Sequence, residues 1–356
     1  MKLIYFISFA LAFFTSFVCT FLVARIAVRR QVLDHPDEER KFHKSATPAL
    51  GGLAVFTSFF LVTLFIGIFG EYLLSGNIPL RNLLGIWAGG IILMIGGYLD
   101  DKYRLPPKYS ILFPVLATMT AISSGITAFS VHNPLTGNVV FLDNALLFGI
   151  PIVSGLIVFV WTMVMTYTTK LLDGMDGLTT GVSAIGGLVL FGLSLSDQVM
   201  QPQTALIAIT FVGSLMGFLI LNFYPARIFL GEGGSTFAGF MLAILAVISG
   251  GKIATAILVM GIPILDVVWV ILQRIFSKQS PFKGDRKHLH YKLTDIGFSE
   301  PQAVIFLYML TGIFGAAALF LQSLGKLIAL GVLVAVMVTL VVAVFIAFKV
   351  KEKLNE

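Results

Sequence analysis

The residues best equipped for chemistry are carboxylates standing at the edges of apolar runs. Asp100 and Asp101 are adjacent in LDDKYRLPPK, directly after the apolar residues 83–98. Side by side they repel each other and resist desolvation, so water, a cation or a basic partner must offset their charge. Asp173 and Asp176 follow in DGMDG. On a helix that three-residue spacing puts both carboxylates on one face, and the glycines let the backbone approach a ligand closely. The four acids are expected to converge on a hard cation such as Mg²⁺, with Mn²⁺ an alternative on similar oxygen ligands.

A glycine-rich segment, FLGEGGS at 229–235, opens a further apolar run. Free amides and the helix dipole at such a start favour anions, and Glu232 adds a carboxylate where a metal could be shared with phosphates. Close helix packing would ask for the same glycines, and the two readings weigh equally. In DRKHLH, at 285–290, His288 and His290 stand two apart in a basic loop. Two histidines without a cysteine leave zinc short of ligands, so imidazole and basic donors reaching for phosphate or sugar fit better. Lys108, Lys170, Arg227, Arg274, Lys283, Arg286 and Lys287 add positive charge, although most lysines and arginines beside a membrane only set topology. Acids for a metal and bases for phosphates describe phosphoryl transfer, with a lipid as the plausible acceptor.

The elements that must position these groups are transmembrane helices. Of 356 residues 57% are hydrophobic and 12% charged, with mean hydropathy +0.96, which excludes an ordinary soluble domain. The single cysteine, Cys19, lies in an apolar run, so neither a disulfide framework nor a cysteine metal site is available. At about 20 residues per crossing, the chain reads as an all-α bundle of about eleven transmembrane helices, at 3–28, 50–70, 80–99, 109–130, 146–168, 181–196, 204–222, 236–250, 253–275, 302–322 and 326–348. With the N-terminus outside and the C-terminus cytoplasmic, the inner loops and tail hold 20 of the 24 Lys and Arg residues, leaving Lys2, Arg81, Lys252 and Lys326 outside. A single integral-membrane domain, 1–356, is expected, its active site built from cytoplasmic loops 29–49, 100–108, 169–181, 222–236 and 276–301. The longest outer loop contains NPLTGN (133–138), which reads as a turn between two short extended pieces.

A secondary transporter is the main rival, since intramembrane acids and broken helices also serve transport. Against it, the acids gather at one membrane edge, no repeated halves are found, and only Asp266 lies well inside a span, where a buried acid hydrogen-bonded to a neighbour is the plainer account. The CDP-alcohol phosphotransferases share the metal-and-phosphate logic but need a different motif spacing.

Five ordered segments carry a closer likeness: DHPDEERKFHKSATPALGG, GGYLDDKYRLPPK, LLDGMDGLTTGVSAIG, NFYPARIFLGEGGS, and IPILDVVWVILQRI followed by SPFKGDRKHLHYKL. Together they resemble the polyprenyl-phosphate N-acetylhexosamine-1-phosphate transferases, over nearly the whole chain. The likeness is greatest to the branch that moves GlcNAc-1-phosphate from UDP-GlcNAc to undecaprenyl phosphate, yielding undecaprenyl-diphosphate-GlcNAc and UMP, as in lipopolysaccharide O-antigen, common-antigen and teichoic-acid initiation.

The resemblance implies a Mg-dependent enzyme of the plasma membrane with a cytoplasmic active site. UDP-sugar and lipid are its partners, no nucleic acid is, and a homodimer is left open. Asp100, Asp101 and Asp176 would be catalytic, the first two beside the lipid phosphate. Asp176 and Glu232 would hold Mg²⁺. Lys108 and Lys170 would meet phosphate or nucleotide, Asp173 and Asn222 would line the nucleotide side, and Arg286, His288 and His290 would contact sugar and pyrophosphate. Another UDP-N-acetylhexosamine, or UDP-MurNAc-pentapeptide, stays open as donor, and so does a two-step route through a phospho-Asp. This chain departs from the family pattern at Glu232, usually Asp, at Tyr167 and Lys170, where TNAxNLxDG has Asn, and at Tyr291, in place of the last His of HxHH.

Overall fold

The computed structural model describes residues 2–36, 46–70, 72–74, 76, 78–127, 130–132, 139–142, 146–147, 150–197, 199–250, 252–279 and 286–355. The NPLTGN turn, Lys283, Asp285 and residues 37–45 of the first loop lie outside that set. The helices are α1 (Lys2–Arg29), α2 (Gly51–Phe69), α3 (Leu80–Tyr103), α4 (Pro107–Ser110), α5 (Leu112–Ser123), α6 (Ile152–Leu172), α7 (Leu178–Leu195), α8 (Pro202–Asn222), α9 (Gly231–Ile248), α10 (Ile253–Val259), α11 (Gly261–Phe276), α12 (Leu289–Asp295), α13 (Glu300–Phe320) and α14 (Ser323–Asn355).

Among the described residues strand is confined to three short antiparallel pairs. β1 (Leu33–Asp34) pairs with β2 (Thr47–Pro48), β3 (Ser130–His132) with β4 (Val139–Phe141), and β5 (Leu146–Leu147) with β6 (Ile150–Pro151). The β3–β4 ladder supplies the two extended pieces expected on either side of NPLTGN.

Among the described residues nine helices are long and apolar enough to cross a membrane, and a tenth crossing results if α10 and α11 count as one. Those two meet at 77°. Pro263 lacks the N–H that would reach back to Val259, so the expected span 253–275 breaks at Met260. The expected span 109–130 is a shorter, two-piece helix: α4 and α5 run from Pro107 to Ser123 with only Ile111 between them, and carry the chain back along α3, Gly96 lying against Phe113 and Gly85 against Ser124.

The centre of the bundle is α8 and α9, each with 83% of its apolar window buried, whereas α14 buries 17% and turns its aliphatic side chains outward. Small residues draw the helices together. A Cβ on Gly213 or Gly217 of α8 would collide with the Phe9 or Phe13 carbonyl of α1, so this small-xxx-small pair sets how closely α1 approaches. Several buried hydroxyls are satisfied within the helices, as where Ser8 donates to the Ile4 carbonyl at 2.6 Å, and between them, as where Ser58 donates to the Ala12 carbonyl at 2.6 Å, while Ser16, Ser154, Thr162 and Ser183 have no partner among the described residues.

Glycines also bring three helices together beneath the polar loops. A Cβ on Gly52 of α2 would strike Gly234, and one on Gly97 of α3 would strike Gly233, both in α9. The chain between α8 and α9 is zipped to the start of α2 by Phe229 N–H to the Pro48 carbonyl (2.8 Å), Gly51 N–H to the Phe229 carbonyl (2.9 Å) and Gly52 N–H to the Leu230 carbonyl (2.7 Å). The ends of α3, α6 and α8 and the starts of α2, α7, α9 and α13 therefore gather at one end of the bundle, and the polar cleft opens there.

Candidate active site

A cleft of about 490 Å³ is lined by Asp34, Asp100, Asp101, Asp173, Asp176, Glu232 and Glu300 against two bases, Arg104 and Lys170. Six segments far apart in sequence contribute to it. A chain of net charge +6 has therefore concentrated its negative charge in one place.

The two adjacent aspartates have separate tasks. Asp101 turns toward α9, where both its oxygens face the Glu232 N–H at 3.1 and 3.2 Å. Gly231, at φ +76, makes the turn that presents this amide. The amide expected to cradle phosphate is thus taken by a carboxylate of the chain itself, and Gly233 and Gly234 serve packing, so the phosphate-cradle reading of FLGEGGS gives way to the packing one. Asp100 looks the other way. Its Oδ1 accepts the Leu105 N–H at 2.8 Å, a bond made reachable by the left-handed turn at Arg104. Its Oδ2 accepts the Ser110 hydroxyl at 3.2 Å and lies 3.9 Å from Lys170 Nζ.

Lys170, in the last turn of α6, forms an ion pair with Glu232 at 2.5 Å and donates to Ser110 Oγ at 3.2 Å. Its ammonium also lies 5.7 Å from the Tyr167 ring centroid.

DGMDG is a loop between α6 and α7, not a helix, so the expected shared helical face does not form. Its two acids meet different partners. Asp176 Oδ2 accepts the Ala226 N–H at 2.8 Å, and Asp173 faces the Thr179 hydroxyl. Burial pushes the Asp173 carboxyl up to about 7, only partly opposed by that hydroxyl. Helix α13 clamps the loop at two points, through Glu300 Oε1, which accepts the Asp176 N–H at 2.9 Å, and the Tyr308 hydroxyl, which donates to the Gly177 carbonyl. Asn222 reaches the cleft wall, but its amide is engaged by the Thr180 hydroxyl at 2.7 Å and the Ile228 carbonyl at 3.0 Å.

Four expected contacts lie off the cleft wall. Lys108 is exposed on α4 with its ammonium 4.8 Å from the Tyr109 ring. Arg286 pairs with Asp295 at 3.2 Å. His288 is buried with Nδ1 2.8 Å from Asp266 Oδ2, and Asp266 Oδ1 accepts the Leu289 N–H at 2.8 Å. Asp266 thereby anchors the start of α12, as the plainer account of that acid expects. His290 stacks parallel to His288, is fully buried, and its Nε2 has no hydrogen-bond partner among the described residues. Burial holds that imidazole down at about 3. It packs against Gly174, while Tyr291 takes the place on the cleft wall. Asp34, Arg104 and Glu300 are cleft residues that motif reading did not single out, whereas Tyr291 was noted only as a departure from the motif and not as a site residue.

Among the described residues no three His, Cys, Asp or Glu side chains converge as a ready-made metal site. The expected four-carboxylate cage is not formed. The donor set nevertheless fits Mg²⁺, which commonly takes one or two carboxylates and completes its shell with water and substrate phosphates. Among the described residues, seven acids against two bases on the cleft wall would repel a diphosphate unless divalent charge entered with it.

The family model described as Glycosyl transferase family 4 matches residues 83–250, a stretch that holds the cleft acids from Asp100 to Glu232. Over 324 residues the chain is 31% identical to a Bacillus subtilis (strain 168) protein named as a probable undecaprenyl-phosphate N-acetylglucosaminyl 1-phosphate transferase, covering 89% of this chain and 85% of the relative. It is 28% identical over 338 residues to the decaprenyl-phosphate N-acetylglucosaminephosphotransferase of Mycobacterium leprae (strain TN), covering 85% and 80%. With the undecaprenyl-phosphate alpha-N-acetylglucosaminyl 1-phosphate transferase of Escherichia coli (strain K12) it shares 25% over 324 residues, covering 86% and 79%. An acid-lined cleft at one end of an apolar helical bundle, and likeness running through nearly the whole of these relatives, place the chain in the polyprenyl-phosphate N-acetylhexosamine-1-phosphate transferase family, as a multi-pass membrane sugar-1-phosphate transferase.

Proposed function

We propose that this protein transfers GlcNAc-1-phosphate from UDP-GlcNAc to undecaprenyl phosphate, releasing UMP, at the cytoplasmic face of the plasma membrane. The observation that carries the reading is the meeting of Asp100, Asp176, Glu232 and Lys170 in one cleft at the end of the bundle. The names of the relatives support the sugar and the lipid class, and the 20 of 24 basic residues in alternating loops and tail support the orientation.

Lipid entry from the bilayer is favoured because each CH₂ of the isoprenoid loses about 0.8 kcal/mol on leaving it. A lipid-phosphate oxygen attacks the β-phosphorus of the UDP-sugar in line, the bond from that phosphorus to the bridging oxygen breaks, and UMP departs. Asp100 is the group to take a proton from the attacking phosphate, because Ser110 and Lys170 orient its Oδ2 and leave it inside the cleft. Lys170 supplies positive charge toward phosphate. Asp176 is held by Ala226 and, through its backbone, by Glu300, which fixes its place on the cleft wall that Glu232 also lines. Asp176 and Glu232 would hold Mg²⁺, which when bound neutralises the pyrophosphate and the departing UMP.

The test is UMP release by purified, detergent-solubilised protein with Mg²⁺. Donors to compare are UDP-GlcNAc, UDP-GalNAc and UDP-MurNAc-pentapeptide, and acceptors are undecaprenyl and decaprenyl phosphate. Turnover with UDP-GlcNAc alone, abolished by Asp100→Asn and by Asp176→Asn in folded protein, is the expected result. Near wild-type turnover in both variants would refute the residue assignment, and release from a different donor would move the specificity.

A further inference from the structure

We infer that the Lys170 ammonium is a tethered counter-cation that occupies Glu232 until a divalent ion takes that carboxylate, so that metal loading is what frees Lys170 to grip phosphate. The inference rests on the reading above that Glu232 is a metal donor. Nζ lies 2.5 Å from Glu232 Oε1, 3.9 Å from Asp100 Oδ2 and 3.2 Å from Ser110 Oγ. The ammonium thus sits inside the acid cluster, where any cation is attracted by the same charges. A divalent ion bound at Glu232 would repel an ammonium at that distance strongly in a partly desolvated cleft.

The two cations therefore compete for one carboxylate. Lysine is suited to yielding, because its compact charge rides on a flexible four-carbon stem rooted at the end of α6. It also has somewhere to go, since it lines the open cleft. Lys170 and Glu232 are the two ends of one ion pair, so neutralising either end removes the exchange.

The exchange can be read without turnover, as Mn²⁺ binding to the purified full-length chain in the absence of substrate, followed by the electron paramagnetic resonance of free Mn²⁺. Lys170→Gln should bind Mn²⁺ at least about tenfold more tightly than wild type, a conservative figure for removing a charge at ion-pair distance. Lys170→Arg, which keeps the charge, should stay near wild type. The gain should vanish on the Glu232→Gln background. Equal or weaker binding by Lys170→Gln, or no Mn²⁺ binding by any form, overturns the inference.

A measurement on wild type alone guards against a variant that fails to fold. Acylation of Lys170 by a small amine-reactive acyl donor, read by peptide mass spectrometry, should rise when Mn²⁺ is added, and unchanged or reduced labelling contradicts the exchange. Failure here is separable from failure of the proposed function. Wild type that releases UMP from UDP-GlcNAc while Lys170→Gln shows no gain in Mn²⁺ affinity sinks only the counter-cation, whereas exchange without UMP release sinks only the reaction.

Discussion

If Asp101 is chiefly the cap of α9, its loss should appear as instability. Asp101→Ala strips the acceptor from the Glu232 N–H. That one donor is shared between two oxygens at 3.1 and 3.2 Å, at the long end of the hydrogen-bond range, so its share lies in the lower half of the ~0.5–2 kcal/mol typical of a helix cap. A carboxylate at a helix start adds roughly 0.3–1 kcal/mol through the dipole. The sum is about 1–2 kcal/mol, which for a chain of this size lowers Tm by roughly 1–3 °C. Asp101→Asn keeps an amide oxygen that can accept the same N–H and forfeits mainly the charge, so it should fall by less than half as much. The assay is thermal unfolding of purified protein in detergent, run beside UMP release to separate folding from turnover. An Asp101→Ala protein that melts at the wild-type temperature, or an Asn variant that falls as far as the Ala variant, refutes the capping argument.

Three further outcomes are expected. Glu300→Ala frees the Asp176 amide, and UMP release should fall roughly tenfold to a hundredfold, the range for lost supporting contacts around a metal-binding residue, with a higher Mg²⁺ requirement. Asp173 favours the folded state fully only while protonated, below its unfolded value of 3.8, and that contribution is lost as pH rises through about 7. Wild type should accordingly melt a few degrees below Asp173→Asn at pH 8, with the gap closing by pH 4, and a gap that does not change with pH contradicts the assignment. Gly217→Val would drive two methyl groups into the Phe13 carbonyl, so folded yield should collapse, and recovery at the wild-type level would show that α1 does not pack where the structure has it.

The acids of the cleft were readable because charge is scarce in this chain and stands out wherever it occurs. Asp100, Asp101, Asp173, Asp176, Glu232 and Lys170 all fall between apolar runs, and all line the cleft. Glu300 was not readable in the same way. It begins α13 right after Ser299, inside a capping box closed by Gln302, and so resembles an ordinary acid at a helix start. Its reach to Asp176 depends on how α13 leans against the DGMDG loop, which no local pattern encodes. His288 and His290 failed in the opposite direction. Imidazoles in a basic loop resemble ligands, and only the fold shows Asp266 arriving from α11 to hold one of them. Among the helices, hydropathy marked which segments are apolar but not which are straight, and so the break ahead of Pro263 and the shortness of α5 had to come from the structure.

The glycine seam between α1 and α8 bears on how the chain is assembled. Phe9 and Gly213 are roughly 200 residues apart, so at ~5–20 residues per second of synthesis α1 is in the bilayer about 10–40 s before its partner emerges. For that interval Ser8, Ser16 and Thr20, buried in the finished bundle, face lipid or a provisional neighbour. Ser8 and Thr20 are already bonded to carbonyls of their own helix at 2.6 and 2.7 Å, so α1 can wait alone without exposing those hydroxyls to hydrocarbon. Until α8 emerges α1 is held only by α2, where Ser58 donates to the Ala12 carbonyl, and a nascent chain halted before α8 should hold α1 in the membrane beside α2 but without the glycine seam.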